Sequence, residues 1–301
     1  MPTPRTMRGI SQEESFKMIE SAVCFITQKC NMKCPYCIHG KLQKAGRDFA
    51  IEPFKPAEEW AKAINRINPK LLDFTGGEPF LQPNFVKLLE DLNSDIKVGL
   101  TTNASCDLTG FVQKISPAKV VSITCSFHPT SFVSFDMLLG KVLMLKHRGF
   151  NVSVNYVAYP EQLFLIPQYV QRFAVLGVRF HIDPYMQGDD IEGEKYIFSD
   201  NEKQFITTFA GQDRPVSYDL KENNKPVLCS AGKTHLSIHP NGDAWRCLND
   251  RFNHKEEKRI GNIFDENFKT YEEDQMCYEH YRCCGCDRDK VTVSESKVAL
   301  I

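Results

Sequence analysis

Cys30-Asn31-Met32-Lys33-Cys34-Pro35-Tyr36-Cys37 follows directly on an apolar, β-branched run at residues 22–27. Its Cys-x3-Cys-x2-Cys spacing puts three thiols on one loop at a strand end. Random placement of the chain's cysteines would give such a pattern only about 0.02 times. Three closely spaced thiolates can hold three irons of a four-iron cluster, leaving the fourth iron an open coordination site. The alternative is a structural zinc loop, which asks for a fourth ligand nearby and a pairwise Cys-x2-Cys grammar.

Outward from this loop, short apolar runs alternate with longer amphipathic segments from Ser21 to about Gly211. Strands are predicted at residues 22–27, 71–74, 97–101, 120–125, 152–157 and 178–182, and helices at 56–67, 84–92, 132–147, 161–176 and 200–211. Pro167 predicts a kink or break in the fourth of these helices, because it removes a backbone donor and clashes with the preceding turn. Repeated βα units with right-handed crossovers give an α/β fold with a parallel sheet rolled into a barrel or partial barrel. Ligands of such sheets bind beyond the C-terminal ends of the strands, where the thiol loop stands.

The second strand runs into Thr75-Gly76-Gly77-Glu78-Pro79. Two residues without a Cβ allow close backbone approach, and Glu78 can accept hydrogen bonds from an ammonium group. The thiol loop, with aromatic Tyr36 before its last cysteine, together with Gly76-Gly77-Glu78, resembles the radical S-adenosylmethionine (SAM) superfamily. That resemblance implies a partial (β/α)6 barrel, a [4Fe–4S] cluster on Cys30, Cys34 and Cys37, and SAM chelated at the open iron. It makes Gly76, Gly77, Glu78 and Tyr36 cofactor contacts, with Glu78 facing the amino group of SAM. It adds Thr102 and Asn103 at the end of the third strand and Ser126 at the end of the fourth. Asn155 on the fifth strand and Asp183 just after the sixth face the same end; strand-terminal capping and turn chemistry are their other reading. Many relatives carry an acidic residue where His128 stands. Reductive cleavage of SAM to a 5′-deoxyadenosyl radical, which abstracts a substrate hydrogen, is the implied chemistry.

Six of the twelve cysteines fall in the last quarter of the chain. Cys229 and Cys247 flank two strand-like runs joined through Pro240-Asn241-Gly242, a hairpin signal. The Cys-x12-Gly-x4-Cys spacing, followed by Cys277, Cys283, Cys284 and Cys286, resembles the auxiliary-cluster extension called SPASM, in its reduced form called twitch. The resemblance implies an auxiliary [4Fe–4S] cluster held by Cys229, Cys247, Cys283 and Cys286. The assignment within residues 277–286 stays open, and the spare thiols Cys277 and Cys284 are candidate hydrogen-atom donors. A four-cysteine zinc knob is the alternative. Cys24 and Cys125 read as small buried hydrophobes, and Cys106 has no assignment.

The expected organisation is a lead-in at residues 1–20, a partial barrel at 21–212, a linker at 213–228 and a small hairpin-plus-helix cluster-binding extension at 229–301. With 42% hydrophobic and 25% charged residues the composition is globular, and 37 basic against 38 acidic residues give no electrostatic reason to expect nucleic acid. No signal peptide or membrane span is read, so a cytoplasmic location is expected, where twelve cysteines mean metal ligation sooner than disulfides. Two-electron oxidation of a small molecule, with the auxiliary cluster as electron acceptor, is the expected reaction. A peptide-modifying maturase or epimerase is the second reading, and a non-catalytic Fe–S or zinc scaffold is the reading of another class. The short stretch before Ser21 favours a small substrate, and the absent C-terminal double glycine disfavours molybdopterin-precursor synthesis. A flavodoxin or ferredoxin is the expected reductant, and residues 185–196 are a candidate substrate lid.

Overall fold

The structure, a computed structural model, describes residues 18–37, 39–40, 53–185, 197–210, 227–248, 258–277 and 293–295. Six parallel strands form its centre: β1 (Ser21–Thr27), β2 (Leu71–Gly76), β3 (Lys97–Thr102), β4 (Val120–Phe127), β5 (Val152–Ala158) and β6 (Arg179–Pro184). They lie side by side in chain order, each paired in parallel with the next. The crossovers carry α1 (Ala57–Ile67), α2 (Phe85–Asp91), α3 (Thr109–Lys114), α4 (Phe135–His147) and α5 (Ile166–Val175), and α6 (Asp200–Ala210) follows β6. All six predicted strands are present. The short helix α3 is not among the expected elements, because a six-residue helix is too brief to show a period.

Burial explains the layering. Trp60, Ile64, Leu88, Phe111, Leu138, Val142 and Phe173 from the helices pack on Leu72, Phe74, Val98, Ile123, Phe127 and Val154 from the strands in one core. The other face of β4–β6 is hydrophilic, with Ser122, Thr124, Ser126, Asn155, His181 and Asp183 only half-buried. Pro167 acts as its sequence position predicts. A 3₁₀ turn at Pro160–Leu165 precedes it, and α5 begins with Pro167 in its first turn, where the missing N–H costs nothing.

The C-terminal hairpin joins the main sheet directly. β8 (His235–Ile238) pairs in parallel with β1, β9 (Asp243–Trp245) turns back antiparallel, and β10 (Arg259–Asn262) follows at the edge. The sheet order is therefore β10-β9-β8-β1-β2-β3-β4-β5-β6, and its two ends do not pair, which leaves the barrel partial. A buried hydrogen bond of 2.8 Å between Ser21 Oγ and His235 Nδ1 fastens β8 to β1. Gly242 takes φ +90° in the hairpin turn, and a Cβ there would lie 2.2 Å from the Phe264 ring. A second sheet holds β7 (Val227–Cys229) between β11 (Gln275–Cys277) and β12 (Val293–Glu295). Among the described residues no helix is long and apolar enough to cross a membrane.

Candidate cluster and cofactor site

The thiol loop leaves β1 and is anchored by β2. Gly77 N–H donates to Thr27 O at 2.7 Å and Glu78 N–H to Lys29 O at 2.9 Å, so the residue before Cys30 is pinned to the second strand. A Cβ on Gly76 would lie 2.2 Å from Thr27 O, and one on Gly77 would lie 2.2 Å from Lys29 O. The two glycines are thus required first by the approach of the chain to itself, where the sequence suggested approach to a ligand.

Glu78 is fully buried. Its Oε1 accepts from Thr102 Oγ1 at 2.7 Å and Phe80 N at 3.1 Å, and its Oε2 from Asn103 N at 2.7 Å. Burial pushes its carboxyl above the usual carboxylate range, against the pull of these bonds. Glu78 and Thr102, both expected to face SAM, are hydrogen-bonded to each other, and Thr102 is 2% exposed. The carboxylate braces the end of β2 against the end of β3.

Of the three loop cysteines, Cys30 is exposed and Cys34 and Cys37 are half-buried. Cys30 Sγ accepts from Met32 N at 3.4 Å and from Asn103 Nδ2 at 3.7 Å. Cys37 N donates to Cys34 O at 3.1 Å, closing the turn. Burial, then the neighbouring thiols of Cys37 and Cys30, push Cys34 up to about 11. Thiols that repel one another as anions are thiols whose charge a bound cation would compensate, so the donor set suits an iron cluster. Among the described residues no three cysteine, histidine or acidic side chains meet around a single metal ion. A four-iron cluster takes one thiolate per iron, so its ligands need not converge on one point.

Tyr36 lies over this loop, 7% exposed. Its hydroxyl is hydrogen-bonded to His128 Nδ1 at 3.1 Å, and its ring stands 5.0 Å from that of Tyr159, which in turn lies 5.5 Å from Tyr185. Burial lowers His128 from 6.5 to about 4, so its imidazole is neutral. Across the strand ends, Ser126 is register partner of Asn155 and Asn155 of His181. Asn155 Nδ2 donates to Asp183 Oδ2 at 2.6 Å. Ser126, Asn155 and Asp183 therefore share the polar face.

Three residues beside the loop carried no sequence signal. Thr130 hydrogen-bonds to Cys34 and Tyr36, and Ser105 holds the Asn103 amide. The Cys106 thiol is raised by burial and by the charges of Glu78 and Cys30. Cys24 and Cys125 are fully buried, as expected of small hydrophobes.

The second cysteine group is assembled by β7 and β11. Gln275 is the register partner of Cys229 and Cys277 that of Val227, which sets Cys229 and Cys277 diagonally on one face of an antiparallel pair. Arg246, 3% exposed, donates from its Nη1 to Met276 O at 3.2 Å. That bond ties the neighbour of Cys247 to the neighbour of Cys277. Cys283, Cys284 and Cys286, and residues 186–196 of the candidate lid, lie outside the described residues.

Residues 24–163 match the family model of the Radical SAM superfamily, and residues 229–290 match SPASM, an iron–sulfur cluster-binding domain. The first implies a [4Fe–4S] cluster and SAM, the second auxiliary Fe–S clusters. The chain is 24% identical over 283 residues, 86% of its length, to the antilisterial bacteriocin subtilosin biosynthesis protein AlbA of Bacillus subtilis. It is 31% identical over 106 residues to GTP 3′,8-cyclase of Staphylococcus epidermidis, a match covering 32% of this chain. The chain spans 61% of AlbA and 31% of that cyclase. Streptococcus suis SuiB bound to S-adenosylmethionine superposes with a TM-score of 0.60 at 16% identity, over 83% of this chain and 64% of SuiB. The anSMEcpe structure with bound AdoMet gives 0.59 at 17% identity, over 81% of this chain and 75% of that one.

Proposed function

Because the chain belongs to the radical SAM superfamily and carries a SPASM iron–sulfur domain, we propose that it is a radical SAM enzyme acting on a peptide. The observation that carries the peptide reading is the reach of the similarity to AlbA, which runs through both domains over 86% of this chain, whereas the match to the cyclase of S. epidermidis covers 32%. SuiB, of the same fold, has been solved bound to the precursor peptide SuiA. Small-molecule oxidation, the first expectation from the sequence, has no comparable support.

When bound, a [4Fe–4S] cluster and SAM supply a one-electron reductive cleavage whose 5′-deoxyadenosyl radical removes a hydrogen atom from an unactivated C–H bond. Cys30, Cys34 and Cys37 hold that cluster through three thiolates. Glu78 acts from behind, fixing the β3 end that flanks Cys30. Tyr36, His128 and Tyr159 wall the site with neutral groups and exclude water. Ser126, Asn155 and Asp183 present hydroxyl, amide and carboxylate to SAM or substrate, and Gly76 and Gly77 let the loop sit close to β2. Cys229 and Cys247 hold an auxiliary cluster, with Cys277 beside them and Cys283 and Cys286 completing the set. The electron comes from a flavodoxin or ferredoxin.

The test is anaerobic incubation of iron-loaded protein with SAM, a reductant and bacteriocin-precursor peptides. The reading expects 5′-deoxyadenosine together with a mass change in a peptide. Release of 5′-deoxyadenosine with small alcohols but with no peptide would restore the oxidation reading.

A further inference from the structure

Asn103 is 6% exposed, and its backbone N–H and both polar atoms of its side chain are hydrogen-bonded. Its Oδ1 accepts from Ser105 N at 2.9 Å and Ser105 Oγ at 2.6 Å, which fixes the amide so that Nδ2 points the other way. Nδ2 then reaches Cys30 Sγ at 3.7 Å and Asn31 Oδ1 at 3.0 Å, and Asn31 Nδ2 closes the ring on Ser105 Oγ at 2.8 Å. The backbone is held as firmly. Asn103 N donates to Glu78 Oε2 at 2.7 Å, and Ala104, in the left-handed region at φ +54°, donates its N–H to Thr102 Oγ1 at 3.0 Å. A non-glycine residue with positive φ persists only where its surroundings over-determine it. Here Glu78, Thr102 and Ser105 do so, and the result is one amide N–H aimed at one thiol.

We propose that Asn103 is a positioning residue that donates its side-chain N–H to the Cys30 sulfur and thereby raises the reduction potential of the cluster held there, a claim that rests on the assignment of that cluster to Cys30, Cys34 and Cys37. A donor at a ligand sulfur stabilises the form carrying one more negative charge, so it favours the reduced cluster. Cys30 is the exposed member of the three, and Asn103 with Met32 N–H supplies it with two fixed donors. The electron comes from the one-electron protein reductant, and no bond is made or broken at Asn103.

The test is an EPR-monitored redox titration of the anaerobic, iron-loaded full chain, following the signal that SAM perturbs, in Asn103→Ala, Asn103→Asp and Ser105→Ala. A lower midpoint is expected in all three at unchanged iron content. Asn103→Asp, which sets a carboxylate oxygen against the thiolate, should shift furthest, and Ser105→Ala, which only frees the amide to turn, least. An unchanged or raised midpoint in iron-loaded Asn103→Ala overturns the inference. If that variant takes up no iron, Ser105→Ala decides by the same criterion. If the parent protein itself shows no signal that SAM perturbs, the cluster assignment is wrong and the inference falls with it.

Discussion

Tyr36 and His128 meet at 3.1 Å between hydroxyl and Nδ1, joining the cysteine loop to the end of β4. Burial holds the imidazole near 4, below its ordinary 6.5. A histidine buried in its neutral form contributes stability that is complete above its unfolded value and is lost as pH falls toward the folded one. The chain should therefore lose stability between pH 6.5 and about 4. His128→Gln should flatten that slope in denaturant midpoints taken from neutral to mildly acid pH; parallel profiles would refute the assignment.

Glu78→Ala strands three buried donors, those of Thr102, Asn103 and Phe80. Each unsatisfied group costs about 1–3 kcal/mol, so this variant should fall well below Glu78→Gln, which keeps one acceptor oxygen. Because the Glu78 carboxyl is raised above 4.5 by burial, its ionised form is the disfavoured one in the folded chain. The advantage of the wild type over Glu78→Gln should then shrink as pH rises above 4.5 and level off past the folded value. Urea titrations at several pH values read both effects.

Gly77→Ala puts a methyl group against the Lys29 and Gln28 carbonyls at 2.2 and 2.7 Å. Backbone cannot give way there as a side chain would, and the cost should be about 3 kcal/mol or more, with loss of iron binding at the adjoining loop. Gly140→Ala in α4 meets nothing within 4 Å. It should leave stability unchanged or raise it by about 0.5–1 kcal/mol. Thermal midpoints of the pair separate close approach from helix propensity.

Cys229 and Cys277 share one face of the β7–β11 pair. Cys229→Ala should lower iron content by roughly four atoms per chain while leaving the SAM-perturbed EPR signal in place. Cys277→Ala should keep its iron, as expected of a spare thiol; a loss of about four irons there would make Cys277 a ligand of the auxiliary cluster.

The parallel sheet was legible because each of β1–β6 is built on a short apolar or β-branched run between longer segments, and Pro167 broke its helix for a reason written in its ring. The Cys30–Cys37 spacing likewise announced its chemistry. What could not be read was contact between residues far apart in the chain. Nothing local says that β8 pairs with β1, a partnership decided by Ser21 and His235, which are separated by 214 positions. Nor does Glu78 reveal that it faces Thr102 and Asn103, since its acceptor capacity suits a ligand and a neighbour equally. Ser105 and Thr130 were silent because a hydroxyl carries no spacing rule. β7, β11 and β12 escaped because three-residue strands have no period.

Iron content and low-temperature EPR of anaerobically prepared protein, with and without SAM, beside the triple variant Cys30→Ala/Cys34→Ala/Cys37→Ala, test the central claim most directly. About eight irons per chain should fall to about four in the variant, with loss of the signal that SAM perturbs. A variant that keeps all its iron, or a parent whose EPR signal is indifferent to SAM, would contradict the claim that these three thiols hold a SAM-binding cluster.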